Sequence, residues 1–283
     1  MIKKLPFLLL FLLTSPLIFA QQEQIIQGIM SEAKENSQLE PLAHELLDVV
    51  GPRLVGTPQL KNAHDWAVEK YKSWDIAAEN QQWGTWKGWE RGTTHIDMIS
   101  PRVVSLEGQQ LAWSPGTSKK GVTAEVIILP EAKDSVAFKN MMSSVKGKFV
   151  MISQYQPTGR PDYNWEEFAT DSSFTKMKSD REKISDAWDT RVEKTGYTSR
   201  TLPQALEKAG AAGIITSYWS RGFGVNKIFG ARTTEIPTVD ISLEDYGMLY
   251  RRAETGDKPE IKITAESKDL GEVPTFNTIA RME

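Results

Sequence analysis

The side chains best suited to bind a metal ion are three histidines, His44, His64 and His95, in a 283-residue chain without cysteine. Zinc in proteins is held by imidazole, thiolate and carboxylate groups, so a zinc site here must combine these histidines with acidic residues. Without cysteine, neither a disulfide nor thiol chemistry is available, and a lipid-modified N-terminal cysteine is excluded.

Two of the histidines stand in patterns that resemble metal motifs. The stretch from His44 to Asp48 has Asp where the H-E-x-x-H helix has its second imidazole, which favours a solvated helical face over a zinc site. His95 and Asp97 form an H-x-D triplet, and in a strand these two side chains point to one face. No acidic partner segment lies near them, so we assign no catalytic, cofactor-binding or metal residue and keep His95 and Asp97 as weak metal candidates only.

Other patterns favour structural roles or exclude functions. The Gly-Ala-Ala-Gly run at 210–213 follows a predicted helix and precedes a predicted strand, whereas phosphate loops run from strand to helix, so we interpret it as a helix stop. Trp83, Trp86 and Trp89 suit either a sugar-binding platform or a buried core. A net charge of −3 gives nucleic-acid binding no electrostatic support.

The first 20 residues have the pattern of a signal peptide. Lys3 and Lys4 precede an apolar run, and Ala20 offers a small residue at a cleavage point. No second segment is as apolar over the length of a membrane span. We therefore predict an exported protein, periplasmic or extracellular, without a membrane anchor.

The rest of the chain predicts helices followed by a β-rich region. Residues 23–50 have helical spacing, and a second helix begins at Pro58 with Thr57 as its N-cap. Short strands dominate from Gly121 onward, and Ser242 with Asp245 resembles a capping box. We expect residues 121–270 to form a compact unit that packs separately from residues 23–110.

Several blocks of sequence occur in the same order as in one enzyme family. The chain resembles the plasma glutamate carboxypeptidase (carboxypeptidase Q) group of di-zinc exopeptidases. The blocks that carry the resemblance are G-P-R-L-V-G-T at 51–57, W-E-R-G at 89–92, G-V-T-A-E-V at 121–126, I-P-T at 236–238 and F-N-T-I-A at 276–280.

The resemblance implies an α+β fold with an inserted domain. Residues 21–120 correspond to the N-terminal segment of an α/β zinc-peptidase domain and residues 271–283 to its resumption. Residues 121–270 correspond to a β-rich protease-associated (PA) domain with flanking helices. Within it, the charged stretch 158–200 is longer than the family pattern, and we interpret it as a surface insertion with a solvated helix.

The family's metal ligands, an His-x-Asp triplet followed by further acidic residues and a histidine, come after the strand that resembles 276–282. We therefore expect the chain to be the front part of such an enzyme, with zinc in the complete enzyme but none bound here and no catalysis of its own. Peptide substrates, a protein partner bound through the PA domain and an oligomer are further expectations. The alternatives are a stand-alone secreted PA-domain binding module and a carbohydrate-binding protein.

Overall fold

The computed structural model describes residues 23–223 and 229–282, so the predicted signal peptide lies outside the described residues. Its α-helices are residues 23–35 (α1), Leu39–Ala43 (α2), Pro58–Ser73 (α3), Ser135–Met141 (α4), Asp162–Phe168 (α5), Asp171–Lys194 (α6), Leu202–Lys208 (α7) and Leu243–Thr255 (α8). A π-helix at His44–Val50 continues α2, and a 3₁₀ helix at Met142–Val145 continues α4. None of the helices in the described ranges is long and apolar enough to span a membrane.

Eight strands of the described chain form one mixed sheet. They are Ala77–Ser100 (β1), Val104–Leu106 (β2), Gly108–Gln110 (β3), Val122–Ile128 (β4), Phe149–Met151 (β5), Gly213–Thr216 (β6), Thr238–Ile241 (β7) and Glu260–Arg281 (β8). The order across the sheet is β2-β1-β8-β4-β5-β6-β7-β3. Strands β4 to β7 pair in parallel, whereas β8 against β4 and β3 against β7 are antiparallel. A mixed α/β fold is therefore confirmed.

The parallel strands are apolar at nearly every position because helices cover both faces of the sheet. In β5, Phe149 and Met151 pack on one face with Tyr246 of α8, and Val150 packs on the other face with Phe138 of α4. All three β5 residues are fully buried. Because both faces of β5 are covered, only the turns at the two ends of the strand can open to solvent.

Around α8 the predicted cap at Ser242 is present, but the predicted capping box with Asp245 is not. Ser242 is the N-cap, and its hydroxyl accepts a hydrogen bond from the Asp245 N–H at 3.4 Å. Asp245 does not complete a reciprocal capping box, because its carboxylate accepts from the Glu107 N–H at 2.7 Å. Gly256 ends the helix in the left-handed conformation, where glycine carries no steric penalty.

The expected separation between residues 23–110 and 121–270 is wrong. Residues 82–275 cluster in one compact unit, so β2, β3 and most of β1 belong with the region that follows Gly121. The physical reason is burial and pairing: Ile96 and Met98 of β1 enter the same core as Val126, and β3 pairs with β7. The strand that resembles 276–282 also begins earlier than the resemblance implies, because β8 runs without interruption over Glu260–Arg281.

Residues 23–54, 59–81 and 276–282 belong to a second unit. Within it, the Thr278 hydroxyl of β8 lies 2.8 Å from the Asn80 side-chain oxygen and 2.9 Å from Nδ1 of His64 in α3. The end of β8 therefore contacts the N-terminal segments. Trp74 lies just beyond the end of α3 and is exposed.

The close packing of β6 predicts a large effect of one added methyl group. A Cβ at Gly213 would lie 2.6 Å from Phe149 Cε1 and 2.8 Å from the Pro237 carbonyl oxygen, so Gly213→Ala should lower the free energy of unfolding by about 1–3 kcal/mol. Gly84→Ala is the matched control, because its Cβ would meet nothing closer than Thr275 Oγ1 at 4.0 Å. Urea unfolding compares the two variants, and an equal effect would contradict this account of the core.

Candidate functional site

A cleft of about 990 Å³ opens at the carboxyl ends of β5 and β6, within the unit of residues 82–275. Its floor is formed by residues that directly follow these strands, including Ser153 and Ser217, and its roof by α6. Ligands of open α/β sheets bind outside the carboxyl ends of the strands, where the loops leave a crevice. The cleft is therefore a candidate site for a small ligand.

The floor of the cleft is held by buried hydrogen bonds to the loop after β5. The Tyr246 hydroxyl of α8 donates to the Ser153 carbonyl oxygen at 2.6 Å and accepts from the Ser153 N–H at 2.9 Å. Complete burial raises the pKa of Tyr246, so it remains a neutral phenol that can both donate and accept. In turn, the Ser153 hydroxyl accepts from the Ser217 N–H at 3.0 Å, which ties the loops after β5 and β6 together.

A second buried group orders the loop after β6. The carboxylate of Asp240 in β7, only 1% exposed, accepts hydrogen bonds from the Thr216 hydroxyl at 2.9 Å and the Tyr218 N–H at 2.8 Å. A buried carboxylate is tolerated only where donors surround it. The result is a fixed backbone path from Thr216 into the cleft.

Arg181 connects the roof to the rest of the site. Its guanidinium pairs with Asp162 of α5, donates to the Arg160 carbonyl oxygen at 2.6 Å and lies 4.7 Å from the centre of the Trp219 ring. Loss of hydration lowers the pKa of Arg181, although the negative charge of Asp162 opposes this shift. The helical insertion is thus attached to the loop after β6 and does not project freely.

The cleft carries charged side chains of both signs. An acidic face of α6 contributes three carboxylates at helical spacing, Glu182, Asp186 and Asp189. Three arginines come from the loops that precede α7, follow β6 and precede β7, and these are Arg200, Arg221 and Arg232. None of these six side chains forms a salt bridge with another described residue. All six side chains are exposed to solvent.

The weak metal candidates lie elsewhere. His95 and Asp97 are in β1 on the face opposite the buried Ile96 and Met98, as strand alternation requires. Asp97 accepts a hydrogen bond from the Ser105 hydroxyl of β2 at 2.8 Å. The structure thus places the pair on one face of the sheet but gives neither residue a place in the cleft.

The other two histidines have local partners. His44 lies on the π-helix with its Nδ1 2.8 Å from Asp48, both well exposed, which matches the solvated face expected from the sequence. His64 contacts Thr278 and packs edge-on against Phe276, and burial lowers its pKa. In the described ranges, no three His, Asp or Glu side chains are grouped so as to hold a metal ion.

The tryptophans of β1 do not form one surface. Trp89 is 3% exposed and its indole N–H donates to the Ser114 carbonyl oxygen at 3.1 Å, so it belongs to the core. Trp83 and Trp86 are exposed but lie three residues apart in the strand, which directs them to opposite faces. A flat sugar platform needs neighbouring rings on one face, and this arrangement does not provide it.

Comparisons with known proteins agree with the resemblance noted in the sequence. No protein-family model matches the chain. Carboxypeptidase Q of Rattus norvegicus is 27% identical over 242 residues, which are 84% of this chain and 44% of the relative. Carboxypeptidase Q of Homo sapiens is 24% identical over 253 residues, 88% of this chain and 46% of the relative. The chain thus spans a little under half the length of these relatives.

A solved structure shares the fold. The crystal structure of a peptidase M28 precursor from Shewanella amazonensis superimposes with a TM-score of 0.58 at 20% identity, covering 90% of this chain and 52% of that one. The resemblance to carboxypeptidase Q is therefore confirmed, with a fold found in M28 peptidases. The PA-domain assignment of residues 121–270 remains a prediction.

The hydrogen bonds beneath the cleft predict a cost for removing one buried hydroxyl. Tyr246→Phe leaves the Ser153 N–H and carbonyl oxygen without this partner and should lower the free energy of unfolding by about 1–3 kcal/mol. Tyr155→Phe is the matched control, because its hydroxyl makes only a 3.4 Å contact with Arg251 at the surface. Thermal and urea unfolding of both variants test this. Equal losses of unfolding free energy would show that the two hydrogen bonds between Tyr246 and Ser153 do not stabilise the floor of the cleft.

Proposed function

We propose that the chain is the N-terminal portion of an exported zinc-dependent exopeptidase that acts on peptides. The observation that carries the proposal is the similarity to carboxypeptidase Q, which runs through most of this chain and a little under half of each relative compared above. The fold shared with an M28 peptidase precursor is consistent with it. Export to the periplasm or the cell exterior follows from the sequence pattern of the first 20 residues.

Zinc belongs to this proposal through the resemblance, and the described residues do not fit a zinc site. A catalytic zinc takes about three protein ligands and an open position for water. His95 and Asp97 offer two ligands on one face of β1, and Asp97 is already hydrogen-bonded to Ser105. We therefore assign no catalytic step to these residues and propose that this chain alone is inactive.

We propose that the unit of residues 82–275 serves the complete enzyme as a substrate lid or as a contact surface for a protein partner. The insertion between β5 and β6 supports this, since α5 and α6 cover a charged cleft and are held there by Arg181. Loops placed over the edge of a rigid sheet commonly carry binding functions. The same observations would support a secreted binding module without peptidase activity.

Metal analysis and activity assays test the proposal that this chain alone holds no catalytic zinc and is inactive. After dialysis, the purified chain should hold well under one zinc ion per molecule and hydrolyse none of a panel of dipeptides under aminopeptidase and carboxypeptidase conditions. Two zinc ions per chain with chelator-sensitive turnover would contradict the proposal. A His95→Ala/Asp97→Ala double variant is the matched test, because it should abolish any bound zinc only if this pair supplies ligands.

A further inference from the structure

The second half of α6 is anchored to the core of its unit. Trp188 and Val192 pack against the buried cluster to which α4 and α7 contribute. On the same half of the helix, Arg191 donates to the Glu131 carboxylate at 2.7 Å. Residues 185–194 therefore belong to the rigid part of the unit.

The first half of α6 and the short helix α5 are linked to each other by a different set of contacts. Arg181 pairs with Asp162 of α5 and donates to the Arg160 carbonyl oxygen at 2.6 Å. None of the α5 residues is buried, and Met177 is the one buried residue of α6. We call residues 161–184 the insertion head. It is held together mainly by polar contacts and contributes little apolar surface to a core.

The insertion head contacts aromatic side chains of the loop after β6. The Arg181 guanidinium lies 4.7 Å from the centre of the Trp219 ring, and Tyr163 packs edge-on against Phe223 with ring centres 6.5 Å apart. Tyr163 and Phe223 are each 60% exposed, so their contact buries little surface. Contacts of this kind can separate without disturbing the core.

Arg181 places a charge where α6 otherwise presents apolar side chains to the unit. Along one face of the helix, Arg181 stands between Met177 and Ile184 at the spacing of an apolar stripe that continues to Trp188. Its side chain is 14% exposed, and its Nε is buried without a hydrogen-bond partner among the described residues. The indole N–H of Trp165 in α5 is buried and unpaired in the same way. Movement of the head away from the sheet would hydrate both donors and relieve this cost.

We propose that the insertion head is a lid over the cleft, which opens by separating from Trp219 and Phe223 while residues 185–194 stay in place, and that Arg181 is the latch that holds it closed. The head supplies part of the cleft lining, including Lys178, so its departure widens the entrance. The contacts of Arg181 favour the closed arrangement and its incomplete hydrogen bonding opposes it, which keeps the two arrangements close in free energy. The movement needs neither zinc nor hydrolysis and does not depend on the proposed exopeptidase role.

Hydrogen exchange of the full chain, followed by mass spectrometry of peptic fragments, tests the lid. Backbone amides of residues 175–184 should exchange about tenfold faster or more than those of residues 188–194, although both stretches belong to one continuous helix. The first turn of α6 is left out of the comparison because its amides have no helical partner. Equal protection of the two stretches would overturn the proposal.

Substitutions identify the latch. Arg181→Ala should raise the exchange of α5 and of residues 175–184 together by about tenfold, the scale expected for losing hydrogen bonds from a charged group. Lys176→Ala is the matched control, because its salt bridge with Asp180 lies on the exposed side of the same helix and should contribute little. Trp219→Ala should open the head as Arg181→Ala does, whereas Trp219→Phe keeps a ring beside the guanidinium and should retain protection.

Unchanged exchange in both Arg181→Ala and Trp219→Ala, or an equal increase in Lys176→Ala, would show that Arg181 is not a latch. Unchanged protection of β5 verifies that each variant keeps its core. If Arg181→Ala does not fold, the comparison within α6 of the unsubstituted chain and the two Trp219 variants decide the question.

Discussion

The constraint on which the larger unit depends is the complete burial of β5. Its three residues have no access to water on either face, so every N–H and carbonyl group of the strand must be paired with β4 or β6. Parallel pairing on both sides requires connections that return across the sheet, and helices supply them. The position of α4, α7 and α8 on the two faces, and of the cleft at one edge, follows from this single strand.

The same constraint explains why buried polar groups gather at the carboxyl edge. Where β5 and β6 end, their backbone groups lose ladder partners while still inside the protein, and unpaired groups there are costly. Tyr246 and Asp240 provide the missing partners from neighbouring elements. The loops consequently leave the sheet along defined paths, and the side chains that line the cleft are positioned by structural hydrogen bonds.

Sequence signals predicted the local elements better than their assembly. The start of α3 at Pro58, the Ser242 cap and the stop at Gly210 depend on a few adjacent residues, and the structure shows each of them. The length of β1 and β8 could not be read in this way, because Gly, Pro and charged residues interrupt their patterns and only pairing makes them continuous. The membership of β1 and β3 in the common sheet likewise depends on contacts between distant residues.

The cleft could not be predicted from the sequence, because it too depends on contacts between distant residues. The polar composition of residues 158–200 predicts a solvated helix, and α6 does carry the charges of one. Its apolar residues are few, yet Met177 is buried and Trp188 and Val192 pack against the core formed with Phe138 and Leu206. The acidic face of α6 lines the cleft while its carboxylates stay exposed to solvent. The polar pattern of the helix therefore predicts its exposure correctly, but its place over the cleft depends on the packing of Trp188 and Val192 against core residues that are distant in the sequence, which the pattern does not contain.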